Sequence, residues 1–284
     1  MPNSVSPQLS LHFMRMGFRH IGPFVPGLAG YWACRLWFAT RRSPIPARED
    51  AWRKQTHIDH IGSAGRLLAR YQWGAADAPG ILLIHGWNGR GLQLGAFAAP
   101  LVSAGFRVVA FDAPGHGDSP GNSTHIFDYA QAIQTIANSS GPPLAGAIAH
   151  SFGVPAVARA LLQGLDLPRL ISIAAPADAE FLVQRFAKHL DIPATVVAAM
   201  RARIEHRFGM DIFLRLSTEA MLTGQTIPGL ILHDRNDRDV PATHADRLQR
   251  AWRDARVIYT EGLGHNRILR DPAVIAAAVE FLRP

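Results

Sequence analysis

Three residue types that together perform acyl transfer stand just beyond apolar runs of this chain. Ala149-His150-Ser151-Phe152-Gly153 follows LAGAIA and leads into VPAVARALLQG, an alanine-rich helical pattern. Small residues two before and two after a serine suit a sharp strand-to-helix turn. There the neighbouring backbone leaves no room for larger side chains and the hydroxyl is held outward. A serine hydroxyl is a poor nucleophile unless a base takes its proton, and an imidazole base needs a carboxylate to fix its tautomer and steady its charge. The base candidate is His265, in Gly262-Leu263-Gly264-His265 after VIYT. The acid candidates are Asp234, Asp237 and Asp239, in HDRNDRDVP after LILH. Serine, carboxylate and histidine thus arrive in that order, each past a separate apolar run. The spacing alone leaves the choice among the three aspartates open.

Two further segments succeed apolar runs. His85-Gly86-Trp87-Asn88-Gly89 comes directly after ILLI. Its turn can aim one backbone N–H at a developing oxyanion, with Phe152 N–H as the second donor; such donors are each worth about 3 kcal/mol. Phe111-Asp112-Ala113-Pro114-Gly115-His116-Gly117-Asp118-Ser119 is glycine-rich but lacks the GxxxxGK[ST] pattern, and no helix begins at its glycines. It reads as a structural loop. No Cys/His zinc spacing occurs, and no metal or cofactor is expected.

The elements that must position these residues are legible as alternating strand and helix signals. Strand-length runs are Arg66–Trp73, Ile81–Ile84, Arg107–Phe111, Leu144–Ala149, Leu170–Ala174, Leu230–His233 and Val257–Thr260. Most are continuously apolar, as strands buried on both faces of a parallel sheet are. Helical patterns span about 91–104, 124–138, 152–163, 242–251 and 272–282, with Gly105 and Gly164 at C-cap positions and Asp271-Pro272 opening the last. The order predicts an α/β fold: a mostly parallel β-sheet with helices on both faces and its chemistry at the carboxyl ends of the strands. Residues at about 176–226 are mainly helical without a convincing strand, which predicts a small cap inserted in a 51–284 body.

Residues 1–50 read as a separate N-terminal arm. Ile21–Thr40 is apolar and flanked by Arg15, Arg19, Arg41 and Arg42, but Gly22, Pro23, Pro26, Gly27 and Gly30 interrupt it and Arg35 lies within it. A membrane-spanning helix or cleaved signal is therefore not expected. Packing on the body is the favoured role; a lipid-surface anchor through residues 15–42, with Tyr31, Trp32, Trp37 and Phe38 between arginines, is the competing one. The whole chain is 284 residues with net charge +7. Its basic residues are scattered, so no nucleic-acid partner is expected. The single cysteine, Cys34, leaves no intrachain disulfide, which fits a reducing, cytoplasmic setting.

In HGW, DAPGHGDS, HSFG, DRNDRDVP and GLGH, taken in order and spacing, residues 66–284 resemble the α/β-hydrolase superfamily. The resemblance implies a Ser151–His265–Asp237 triad, since the family places its acid three residues before the pair that is here Val240-Pro241. It also implies Trp87 and Phe152 backbone amides as the oxyanion hole and the 176–226 insertion as a lid. The chain departs from the pattern at Ala149, where the family usually has glycine. The activity implied by the resemblance is that of a serine hydrolase acting on a carboxylic ester or thioester through an acyl-enzyme. Trp87, Asn88, Phe152 and Leu263 are expected to line its substrate pocket. A ligand-binding protein with little turnover and a membrane-surface lipase are the alternatives.

Overall fold

The computed structural model describes residues 7–283 and contains one eight-stranded sheet in the order β1-β2-β4-β3-β5-β6-β7-β8. The strands are β1 (His57–Ser63), β2 (Arg66–Trp73), β3 (Gly80–Ile84), β4 (Arg107–Phe111), β5 (Leu144–His150), β6 (Leu170–Ile173), β7 (Gly229–Asp234) and β8 (Ala255–Thr260). From β4 to β8 all neighbours are parallel, and β1 and β2 add antiparallel. β3, β4, β6 and β7 are buried throughout, which is the reason their sequences run apolar without alternation. The chain leaves β3 towards β4 on one side and later returns to β5 on the other. The ends of β3 and β5 therefore flank a topological switch point, where crevices open in such sheets.

Seven of these strands coincide with the apolar runs, whereas β1 has no such signal. HIDHIGS mixes exposed and half-buried residues and carries polar side chains, because β1 is an edge strand. Its register with β2 is set by a two-residue hairpin loop, Ala64-Gly65, with φ of +46° and +76°. Positive φ at both loop residues matches the twist of a hairpin. The expected helix at 91–104 divides into a 3-10 segment, Gly91–Phe97, and an α-helix, Ala98–Ser103. Gly91 and Gly95 permit close packing there: a Cβ at Gly91 would lie 2.8 Å from the Phe111 carbonyl oxygen, and one at Gly95 2.5 Å from the Trp52 ring.

The chain divides into two compact units. One comprises the chain up to Ala39 together with Asp178–Ser217; the other is Thr40–Ala177 with Thr218 onward. Within the first, the helix Pro26–Phe38 packs along the helix Ala194–Phe208 of the insertion. Gly30 sets that approach, since a Cβ on it would come within 2.6 Å of Ala199 Cβ, and Ala33 beside it is fully buried. The N-terminal segment thus shares a unit with the cap helices. The insertion's first helix, Ala179–Leu190, is capped by Asp178, which accepts the Phe181 N–H at 2.6 Å. The last part of the expected 176–226 cap, Thr218–Leu222, belongs to the sheet-bearing unit. Among the described residues no helix is long and apolar enough to cross a membrane.

Candidate functional site

Ser151 stands directly past β5, in the turn before the helix Gly153–Leu161, with φ of +52°. That conformation is costly for a residue with a Cβ and is held here from several sides. The Ser151 N–H donates to the Ile173 carbonyl at 2.9 Å, which continues the β5–β6 pairing. Gly153 fills the position where the new helix meets β3: a Cβ on it would lie 2.6 Å from the His85 carbonyl oxygen and 2.9 Å from that of Ile84. Ala149 is fully buried, so its methyl is accommodated where glycine is the usual residue. We expect Gly153→Ala to destabilise the protein by about 1–3 kcal/mol through overpacking, read as a lower urea midpoint.

Ser151, His265 and Asp237, the aspartate that the family resemblance implies, meet in one hydrogen-bonded line. His265 Nε2 lies 3.1 Å from Ser151 Oγ, and His265 Nδ1 lies 2.8 Å from Asp237 Oδ2. With Nδ1–H donated to the carboxylate, Nε2 is left as the acceptor for the serine hydroxyl. Asp237 is buried; burial alone would raise its pKa. The bonds from His265 and from the N–H groups of Val240 and Asp239 outweigh that and hold it below the usual carboxylate value. It therefore stays ionised beside the imidazole.

The neighbouring aspartates are placed differently. Asp234, at the end of β7, accepts the Thr260 hydroxyl and the Leu263 N–H on Oδ2 and the Asn236 N–H on Oδ1, so it ties the loop that carries His265 to the sheet. Burial opposes its ionisation, but the Gly264 and Leu263 N–H groups and the Thr260 hydroxyl lower its pKa below the ordinary value. An Asp239 oxygen comes within 4.8 Å of donor atoms of Asp237 and His265, a candidate cation cluster by distance alone. Both imidazole nitrogens are already engaged, Nδ1 with Asp237 and Nε2 with Ser151.

At the switch point, Gly86 packs so closely on the serine that a Cβ would lie 2.9 Å from Ser151 Cβ. This brings the Trp87 turn beside the residue after the serine, and the Trp87 and Phe152 rings meet edge to face at 5.0 Å. Trp87, Phe152 and Leu263 are half-buried. Asn88 is exposed with φ of +57°, and its Oδ1 accepts the Arg41 N–H at 2.8 Å. The glycine-rich loop after β4 is structural. Asp112 accepts N–H bonds from Gly91 and Asp118 and the Tyr71 hydroxyl, and a Cβ at Gly117 would collide with its carboxylate. Arg42 clasps the same loop by donating to the carbonyls of Gly117, Ser119 and Gly121.

Four buried histidines frame the site, a feature that apolar patterning does not announce. Each donates one ring N–H to a backbone carbonyl: His85 to Gly86, His116 to Pro114, His150 to His265 and His233 to Val240. The second nitrogen of His85 accepts the Ala113 N–H, and His116 Nε2, His150 Nδ1 and His233 Nδ1 have no partner. A second proton on any of them would be buried without an acceptor. Burial accordingly pushes all four pKa values down, His116 to about 4 and His150 to about 3. The folded values lie below the unfolded ones, so this contribution is fully present above the unfolded pKa of about 6.5 and is lost as pH falls towards the folded values. His116 and His150, with folded values of about 4 and about 3, each cost about 1.4 kcal/mol per pH unit in that window. Asp112, raised to about 6 by burial against its three donors, acts in the opposite sense, gaining stability as pH falls through that value. One such group does not offset four. The urea midpoint is expected to fall steeply between pH 6.5 and 5, and a flat profile would contradict this account.

His150 opens the HSFG motif, but the sequence gives it no role of its own. Its Nε2–H holds the His265 carbonyl at 3.0 Å, and the two rings stand 4.7 Å apart, so it steadies the backbone that carries the imidazole.

A family model described as the alpha/beta hydrolase family matches residues 81–278. An esterase of Pyrococcus furiosus has a similar fold, with TM-score 0.65 and 14% identity, covering 86% of this chain and 98% of that one. A bacterial membrane phospholipase A gives TM-score 0.63 and 23% identity, covering 82% and 87%. The 30 kDa magnesium-chelatase subunit of Rhodobacter capsulatus is 32% identical over 133 residues, which is 46% of this chain and 43% of that protein. The match thus spans less than half the length of that curated relative.

Proposed function

The chain belongs to the alpha/beta hydrolase family, and from that premise we propose that it is a serine hydrolase cleaving a carboxylic ester or thioester through an acyl-enzyme. The observation that carries this reading is the unbroken line Asp237–His265–Ser151. Ser151 Oγ attacks the acyl carbon as its proton passes to His265 Nε2. Asp237 stabilises the resulting imidazolium through Nδ1–H. The carbonyl oxygen becomes an oxyanion facing the N–H groups of Trp87 and Phe152, and the partly positive N-terminus of the helix Gly153–Leu161 lies on the same side. Collapse expels the alcohol or thiol, which takes the proton from Nε2. Water then attacks the acyl-enzyme with His265 again as base, and Ser151 recovers its proton when the acid departs.

Trp87, Phe152 and Leu263 offer apolar cover for an acyl chain. Hydrolysis of p-nitrophenyl esters of increasing length tests the reading. We expect turnover, with kcat/KM rising by up to about fourfold for each methylene that finds apolar cover, the equivalent of about 0.8 kcal/mol. A folded protein that turns over no member of the series would refute the proposal.

A further inference from the structure

The unit formed by the N-terminal segment and the insertion carries nearly all the exposed large apolar side chains. Apart from Ile45, Leu67 and Leu162, every one among the described residues lies there. In the helix Pro7–Met16 the exposed positions Leu9, Phe13 and Met16 repeat at helical spacing and form an apolar face turned to solvent. Ile21 and Phe24 come next, the latter 85% exposed, and then Leu28, Tyr31 and Trp32 on the outer side of the helix Pro26–Phe38. The opposite side of that helix, Ala29, Gly30 and Ala33, is the one packed on Ala194–Phe208. A helix serving only to pack would bury its aromatic residues and expose its small ones; along Pro26–Phe38 the buried residues are the small Ala29, Gly30 and Ala33, while Tyr31 and Trp32 are exposed.

The charge pattern selects the occupant. The sequence contains no Asp or Glu before Glu49, while Arg15, Arg19, Arg35, Arg41, Arg42 and Arg48 precede it. Arg35 lies against the Tyr31 and Trp32 rings, and Arg203 of the insertion against Tyr31. Arg203 also lines a shallow depression of about 400 Å³ with Gly27, Ala199, Ala202 and His206. Exposed aromatic and aliphatic side chains interleaved with arginines suit the boundary between anionic headgroups and acyl chains. A two-fold contact with a second copy would set this acid-free, arginine-bearing sequence against itself, which like-charge repulsion disfavours.

We propose that the exposed apolar and arginine-bearing face of residues 9–35 docks the protein on an anionic lipid surface. Apolar side chains enter the interface while the arginines meet headgroup phosphates. Lipid binding needs no turnover, so the proposal stands or falls separately from the ester chemistry. The full-length protein is expected to cosediment with phosphatidylcholine vesicles containing phosphatidylglycerol, far less with phosphatidylcholine alone, and more weakly as salt rises. The paired variants Phe24→Ser/Trp32→Ser and Arg19→Gln/Arg35→Gln change exposed positions. Each is expected to lower vesicle affinity by about tenfold or more while leaving circular dichroism and hydrolysis of a water-soluble ester unchanged. Equal binding to neutral and anionic vesicles, or undiminished binding by both variants, would overturn the proposal. So would a concentration-dependent dimer that these substitutions abolish.

Discussion

Ser151→Ala is expected to lower ester turnover by roughly four orders of magnitude or more and to leave the fold in place, because no other side chain can take over the covalent step. The substitution removes only the Oγ that faces His265 Nε2 at 3.1 Å. The Ser151 N–H to Ile173 bond, the close approach at Gly86 and the positive φ are backbone or Cβ features that alanine shares. Thermal stability should therefore stay near that of the parent. Steady-state kinetics with a p-nitrophenyl ester, alongside a melting curve, separates this outcome from unfolding. Substantial residual turnover by a folded alanine variant would place the nucleophile elsewhere.

Asp237→Asn should be nearly as severe, lowering kcat by about three to four orders of magnitude. An amide at this position presents either an N–H, which confronts the His265 Nδ1–H and forces the other tautomer, or a neutral oxygen, which stabilises the imidazolium poorly. The other two aspartates act differently. Asp234 accepts three donors at the ends of β7 and β8 and holds the His265 loop, so Asp234→Asn is expected mainly to cost stability, with kcat within about tenfold of the parent. Asp239 supplies a nearby charge rather than the 2.8 Å bond, and Asp239→Asn should also remain within about tenfold. A collapse at Asp234 or Asp239 with Asp237→Asn active would show that the wrong carboxylate has been assigned to the imidazole.

Local physics makes much of this molecule legible. Strands buried on both faces must be apolar throughout, so β3 to β7 stand out in the sequence, and residues just past their carboxyl ends are where side chains can converge. Ser151, His265 and the aspartate group are visible for that reason. Which aspartate faces the imidazole depends on the path of an irregular turn, and spacing alone leaves three candidates. β1 is silent because an edge strand needs no apolar face, and its hairpin turns on Ala64-Gly65 rather than on a strong turn dipeptide. The pairing of Pro26–Phe38 with Ala194–Phe208 is invisible because it joins segments far apart in sequence through small residues, Gly30 and Ala199, that signal nothing singly. His85, His116 and His150 stand in the motifs HGW, DAPGHGDS and HSFG, but their burial and neutrality are not legible there, because these depend on backbone carbonyls supplied by folding.

The central claim is that Ser151 is the activated nucleophile of an acyl-transfer site, and covalent labelling tests it most directly. Treatment of the native protein with a fluorophosphonate, then digestion and mass spectrometry, is expected to place one adduct on Ser151, with loss of labelling in His265→Ala, where the base is gone. An adduct on another residue, or labelling of Ser151 undiminished in His265→Ala, would contradict it.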